Sequence, residues 1–454
     1  MLEVKNLTVT IENIQVVSDV SFSVADGEIT AIVGESGSGK TMTALSIMGL
    51  LPEAASYTGE ILGDAAGRDM ISMVFQDPMT SLNPLMTIGK QLDEVLLLHE
   101  NMDKKERYDE VINMIKRVEL SEAEDIYKKY PHELSGGMRQ RIMIAMALLK
   151  KPKLIIADEP TTALDHVVQE QIIELLKRIN WEEKVSILFI SHDLNLVKSI
   201  ASSVIVMKDG VTVEKGDVVT LFEAPKHEYT KKLLDSMPKG KKVVNRQNKE
   251  VLVEVNDVSL YYYVHHKKKT VVEDVNFKVY KGEILGVVGR SGRGKTTLCK
   301  AICGLSNKYT GEIINNASLT SMVFQDTYGS LNPSKKIGWI LEEPLKLLRK
   351  MSKVERRERV SDMIKEVGLS EEYMDRYPDE LSGGQRQRIS IAQALLSGAE
   401  LMIADEPVSA LDVTIQAQIL DLIVRLQKSY NLTIIFISHD MHVIDKICDR
   451  VFEI

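Results

Sequence analysis

The chain has 454 residues, 44% of them apolar, and a formal net charge of −8. That length supports about two to three domains with cores of their own. The acidic balance argues against nucleic acid as the main partner, which calls for a dominant basic face. Only three cysteines occur, Cys299, Cys303 and Cys448, too few and too poorly spaced for a disulfide framework or a four-ligand zinc site, so they read as free thiols of a reducing cytoplasm. There is no uninterrupted apolar run of spanning length, and the opening MLEVKNLTVT lacks a basic leader followed by an apolar stretch. The expectation is a chain that neither spans a membrane nor is exported.

In chain order, EITAIVG (28–34) predicts a short buried strand feeding the glycine-rich loop GESGSGKT, and KTMTALSIMGLL (40–51) predicts the helix behind it. MVFQDPMTSLNP begins at Met73 and carries Gln76 at a strand end. KKERYDEVINMIKRVEL (104–120) has apolar positions at helical spacing and predicts a helical lobe inserted into an α/β core. LSGGMRQRIMIAMAL (134–148) opens a helix with a serine and two glycines. KLIIADEP (153–160) and SILFISHD (186–193) read as buried parallel strands that end in polar residues. MPKGKKVVNRQNKE (237–250) is polar, basic and without apolar periodicity, so it reads as a solvated inter-domain linker.

The whole series then recurs: EILGVVG, GRSGRGKT, MVFQDTYGSLNP, KVERRERVSDMIKEVGL, LSGGQRQRISIAQAL, ELMIADEP and TIIFISHD. Ser135 with Ser382, Asp158 with Asp405, Asp165 with Asp412 and His192 with His439 all stand at one constant offset, so the stretch between them tolerates no change of length. The expected domains are 1–236 and 251–454, joined by 237–250.

The chemistry follows from residue types. Gly34, Glu35, Ser36, Gly37, Ser38, Gly39, Lys40 and Thr41 form the first phosphate loop, and Gly289, Arg290, Ser291, Gly292, Arg293, Gly294, Lys295 and Thr296 the second. Bare N–H groups curl around phosphate oxygens at a helix N-terminus, the lysine reaches the β- and γ-phosphates, and the threonine hydroxyl serves Mg2+. Asp158 and Asp405 suit Mg2+, directly or through water, and Glu159 and Glu406 suit the attacking water. His192 and His439 would contact the γ-phosphate and sense its presence, or else be helix-capping or satisfied histidines. Gln76 and Gln325 would touch Mg2+ or water, or else be ordinary polar loop residues. Ser135, Gly136 and Gly137, and likewise Ser382, Gly383 and Gly384, make a second phosphate-binding device. One nucleotide does not need two cradles from one domain. Each SGG element is therefore expected to complete the other domain's site, with two ATP molecules joining the halves head to tail.

On these motifs the chain resembles the ATP-binding cassette (ABC) ATPases over nearly its whole length, with the six family motifs in order in both halves. FQDPMTSLNP, the two LSGG segments, ADEPTTALD and ADEPVSALD are similar to the paired ATPases of oligopeptide, dipeptide, nickel and glutathione importers, as is the tail LFEAPKHEYTKKLL (221–234). The resemblance implies two P-loop domains, each with a RecA-like core, an antiparallel β subdomain and an inserted helical subdomain. It also implies a peripheral ATPase at the cytoplasmic face of the membrane, serving two permease subunits and an extracytoplasmic binding protein. The alternative is a soluble tandem ATPase acting on ribosomes or nucleic acid, for which the linker is short. Three departures stand out. The adenine-stacking aromatic of the family falls on Tyr262 in the second half but on Ile11 in the first; Arg293 sits where a small residue is commoner; and the second copy ends at the equivalent of Met207. The first half lacks the cysteine-rich tail of some relatives, so no iron–sulfur cluster is expected.

Overall fold

The computed structural model describes residues 1–63, 67, 70–162, 164–237, 250–264, 267–289, 292–347, 351–409 and 411–454. The chain divides into two compact units, Met1–Met237 and Pro238–Ile454. Residues 238–249 of the expected linker, and Arg290 and Ser291 of the second phosphate loop, lie outside the described residues.

The first unit opens with an antiparallel pair, β1 (Leu2–Ile11) and β2 (Ile14–Val24), followed by β3 (Ile29–Val33), β4 (Ala55–Leu62), β5 (Ile71–Val74), β6 (Leu154–Asp158), β7 (Ser186–Ile190), β8 (Ser203–Lys208) and β9 (Val211–Asp217). β2-β1-β4 form a small antiparallel sheet, and β5-β6-β7-β3-β8-β9 the main one, parallel except for β9. In β6 and β7 every residue is apolar or buried because both faces are covered. Ile155, Ala157, Ile187 and Phe189 point into a core shared with the helices, whereas Leu154, Ile156, Leu188 and Ile190 point into a core shared with the antiparallel sheet. A two-sided parallel strand needs such an unbroken apolar run.

Between β5 and β6 the chain makes the helical lobe, including Ile88–His99, Lys104–Arg117 and Gly136–Leu149. Leu92, Leu96, Ile112, Ile115 and Ile142 join the helix-side core, so the insertion packs as part of the unit. Lys104–Arg117 is started by a capping box between Asp103 and Glu106, which satisfies donors that a helix start leaves open.

The second unit repeats the plan with β10 (Val251–Val264), β11 (Lys267–Tyr280), β12 (Ile284–Val288), β13 (Tyr309–Asn315), β14 (Thr320–Val323), β15 (Leu401–Asp405), β16 (Thr433–Ile437) and β17 (Arg450–Glu453). β11-β10-β13 are antiparallel, and β14-β15-β16-β12-β17 are parallel. Register bears out two equivalences read from the sequence. Val451 faces Gly286 as Val204 faces Ala31, and the backbone oxygen beside the first loop glycine comes from Met207 in one unit and Ile454 in the other.

Phe189→Ala, at a side chain with no exposed surface, is expected to destabilise the first unit by about 3–5 kcal/mol. Denaturant unfolding followed by limited proteolysis should show the first unit's transition shifted and the second unit's unchanged.

Candidate active site

In both units the functional residues gather at the carboxyl ends of the parallel strands, where open α/β sheets place their ligand crevice. β3 runs into the first phosphate loop. A Cβ on Gly34 would stand 2.2 Å from the Met207 carbonyl oxygen, and one on Gly289 2.6 Å from that of Ile454, so only glycine fits where the loop passes the neighbouring strand. Gly39 and Gly294 adopt left-handed φ values of 94° and 82° at the helix starts, a region that carries little cost for glycine. Lys40 is buried, and its ammonium donates to the Gly34 and Glu35 carbonyl oxygens at 2.9 and 2.8 Å. Lys295 donates to Gly289 at 2.7 Å. Thr41, Ser36 and Gly37 are exposed at the loop surface, as are Gly292 and Arg293. Ser38, the counterpart of Arg293, is buried with its hydroxyl 3.5 Å from the Lys40 ammonium.

β6 and β15 end in Asp158 and Asp405, both buried. The next residues, Glu159 and Glu406, take left-handed φ values of 47° and 46°, an uncommon conformation for a non-glycine residue and one that clusters at functional sites. Their backbone N–H groups donate to Ile190 and Ile437 at 2.9 and 3.1 Å. That turn carries each glutamate toward the end of the next strand, where the histidine stands. His192 Nδ1 lies 3.1 Å from Glu159 Oε1, and His439 Nδ1 3.3 Å from Glu406 Oε1. From the other side Gln76 Nε2 donates to Glu159 Oε2 at 2.8 Å, and Gln325 Nε2 to Glu406 Oε2 at 3.0 Å. Each glutamate is thus held between an amide and an imidazole.

The helix-capping alternative for the histidines falls to their neighbours. Asp193 caps Leu194–Ile200 and Asp440 caps Met441–Ile447. Asp165 and Asp412 likewise cap the helices that follow them.

Electrostatics separate the two acids of each pair. Burial pushes the Asp158 carboxyl up to about 6, the Glu159 charge adding to it and Thr41 and Lys40 opposing. Burial and the Glu406 charge raise Asp405 against the pull of Thr296. Burial also works to raise Glu159 and Glu406, yet the histidine contacts and charges outweigh it, leaving both below the ordinary value of 4.5. His192 is raised by Glu159 despite burial, and His439 by Glu406 against burial. The glutamate share of this stability is present above 4.5 and fades as pH falls through the lowered value, while the histidine share is present below 6.5 and fades as pH rises through the raised one.

Asp158 Oδ1 is buried without a hydrogen-bond partner among the described residues. A buried oxygen left open usually marks a site for an ion or water. No cluster of three or more His, Cys, Asp or Glu side chains able to hold a metal occurs among the described residues. One carboxylate with a threonine hydroxyl beside it fits Mg2+, which keeps waters and takes phosphate oxygens for its remaining positions.

Ser135 and Ser382 are exposed and cap their helices, accepting from the N–H groups of Met138 and Gln385. Among the described residues neither hydroxyl meets the phosphate loop of its own unit. Gly136 and Gly383 lie over Leu164 and Leu411. A Cβ on Gly137 or Gly384 would come within 2.5 and 2.4 Å of Val168 and Ile415, so each SGG helix packs directly on the helix capped by Asp165 or Asp412. Tyr262 is 39% exposed, and the register of β10 with β11, matched to that of β1 with β2, puts Ile11 at its equivalent.

Three contributors escape sequence reasoning. Thr162 donates to Glu159 Oε2 at 3.0 Å. Arg139 reaches the sulfur of Met79, as the Arg386 guanidinium covers the Tyr328 ring. Tyr229 accepts from the Glu35 N–H at 3.2 Å. The signal for Tyr229 lay in the tail stretch 221–234, which carries no catalytic residue type in an informative spacing.

The family model described as ABC transporter matches residues 17–162 and 272–409. The chain belongs to the ABC transporter family. It is 42% identical over 492 residues, spanning 99% of this chain and 93% of the other, to an uncharacterized ABC transporter ATP-binding protein YejF of Escherichia coli K12. It is 44% identical over 469 residues (94% and 85%) to a peptidoglycan transport ATP-binding protein YejF of Agrobacterium fabrum. Identity to the glutathione import ATP-binding protein GsiA of Escherichia coli K12 is 38% over 523 residues (99% and 84%). Among solved structures, the archaeal ribosome recycling factor aABCE1 has a TM-score of 0.71 at 21% identity, over 98% of this chain and 87% of that one, which is a likeness of fold. Both units are ABC cassettes, and the chain is an ATPase.

Asp158→Asn tests the electrostatics. The carboxyl's raised value means that stability is highest below 3.8 and is lost as pH rises through about 6, so at pH 7.5 the neutral amide should stabilise the first cassette by about 1–3 kcal/mol. Denaturant titrations at pH 7.5 and pH 4 should show that gain at the higher pH and its disappearance at the lower.

Proposed function

We propose that this ABC ATPase energises uptake of a peptide-class solute as the ATP-hydrolysing subunit of an importer. Two ATP molecules occupy composite sites. The first uses Lys40, Gln76, Asp158, Glu159 and His192 with Ser382, Gly383 and Gly384, and the second uses Lys295, Gln325, Asp405, Glu406 and His439 with Ser135, Gly136 and Gly137. The observation that carries the reading is the glutamate held by glutamine and histidine in both cassettes. The residue in line for general base is present twice, with its carboxylate kept ionised. Glu159 or Glu406 takes the proton of the attacking water, the histidine orients the glutamate, and the lysine meets the β- and γ-phosphates.

Head-to-tail pairing is supported by the serines, which are exposed and whose hydroxyls, among the described residues, meet no phosphate-loop group of their own unit. Thr41 with Asp158, and Thr296 with Asp405, would hold Mg2+, which when bound neutralises phosphate charge and bridges phosphate oxygens. Tyr262 offers the second adenine an aromatic face that Ile11 cannot offer the first. Among the described residues no helix is long and apolar enough to cross a membrane, so two permease subunits would supply the channel, an extracytoplasmic binding protein would deliver the solute, and this chain would sit at the cytoplasmic face. The relatives at 44% and 38% identity are named for peptidoglycan transport and glutathione import, and both cargoes contain peptide. The likeness to a ribosome recycling factor is one of fold at 21% identity. Permease subunits, and not ribosomes, are therefore expected to co-purify.

Glu159→Gln combined with Glu406→Gln is expected to slow ATP hydrolysis by about 100-fold or more while ATP binding is retained. Steady-state phosphate release and nucleotide binding, measured on the same preparation, check both halves of that statement. Tyr262→Ala is expected to weaken nucleotide binding at the second phosphate loop by about 1–3 kcal/mol, read by titration with Lys40→Ala present to silence the first.

A further inference from the structure

The tail after β9 is not used by the catalytic reading, yet it touches the phosphate loop. After β9 and the short helix Val218–Glu223, the chain forms the helix Glu228–Asp235. Leu233 and Leu234 are buried in the helix-side core of the first cassette with Val218 and Leu221. The start of that helix is seated by Glu214 of β9, whose carboxylate accepts the N–H groups of Lys226 and His227 at 2.8 and 3.0 Å. So fixed, Tyr229 is only 7% exposed, and the Lys208 ammonium stands 5.2 Å from the centroid of its ring. Its phenol oxygen accepts the Glu35 N–H at 3.2 Å. The carbonyl of Glu35 faces the loop itself, accepting from the Ser38 N–H at 3.1 Å and from the Lys40 ammonium at 2.8 Å. A single peptide residue is therefore held by the tail through its N–H and by the phosphate-binding lysine through its C=O.

We propose that Tyr229 is a positioning residue for the first phosphate loop, and that the tail helix is a handle through which nucleotide affinity at this loop is set. The hydroxyl acts through Glu35 on Lys40 and touches no phosphate. It uses the N–H of the loop's second residue and leaves the N–H groups nearer the helix start for the ligand. Anything that lifts the tail helix from Glu214 withdraws this hydrogen bond, so a partner binding the tail would change ATP affinity at the first loop and not at the second. The inference rests on the reading of residues 34–41 as an ATP-binding loop.

The test uses the full chain carrying Lys295→Ala, which silences the second loop, titrated with N-methylanthraniloyl-ATP in the presence of Mg2+. Tyr229→Phe keeps the ring and removes the hydroxyl, and is expected to raise Kd by about 3- to 10-fold, the worth of one hydrogen bond. Thermal unfolding should be little changed by it. Glu214→Gln, which loosens the seat of the helix without altering the ring, is expected to move Kd in the same direction by less. In the mirror background, Lys40→Ala with Lys295 restored, Tyr229→Phe should leave Kd as it was, an outcome that general loss of packing would not give. Unchanged affinity for both Tyr229→Phe and Glu214→Gln in the Lys295→Ala background overturns the proposal. If instead Lys40→Ala together with Lys295→Ala still binds the probe, it is the phosphate-loop reading that fails.

Discussion

Each cassette turns on one carboxylate in an awkward place. A glutamate at the end of a buried strand adopts a left-handed backbone conformation, and its N–H is taken by the next strand's last carbonyl. Without that turn the side chain would continue along the strand. With it, the carboxylate comes between the amide of the loop after β5 or β14 and the imidazole after β7 or β16. Three strand ends are tied to one another through a single acid, and the parallel sheet supplies the spacing that makes this possible. The two-sided apolar core keeps those strands rigid, so the polar ends inherit a fixed geometry.

The division of labour between adjacent acids follows from their surroundings. Asp158 is buried and, among the described residues, has one oxygen without a hydrogen-bond partner, so its charge is disfavoured. Glu159, one residue on, meets a histidine and a threonine and stays ionised. Titratable groups whose surroundings push their pKa values apart are suited to different tasks, and the roles proposed above follow that separation.

Much of this was legible in the sequence, because the strongest signals there are local. Unbroken apolar runs such as LIIAD, the glycine loops, and the helical periodicity of 104–117 fixed element type and order, and strand register bears out the pairing of Ile11 with Tyr262 and of Val204 with Val451. Less legible were contacts made between distant segments by unremarkable residue types. The sequence offered Gln76 to a metal or to water, and the structure joins it to Glu159. Tyr229 and Arg139 belong to helices whose periodicity speaks of packing alone. The two cassettes also differ where motif matching treats them as equal. Gln385 completes a capping box with Ser382 and bonds the Tyr373 hydroxyl, whereas its counterpart Met138 packs into the apolar core.

Gly137 and Gly384 leave no room for even a methyl group between the SGG helix and the long helix beside it. A glycine seated directly on a side-chain methyl of the neighbouring helix leaves little room for sliding, so the serine-bearing tip and the aspartate-capped start of that helix pack as one wedge. A displacement at either edge of that wedge would press directly on the other.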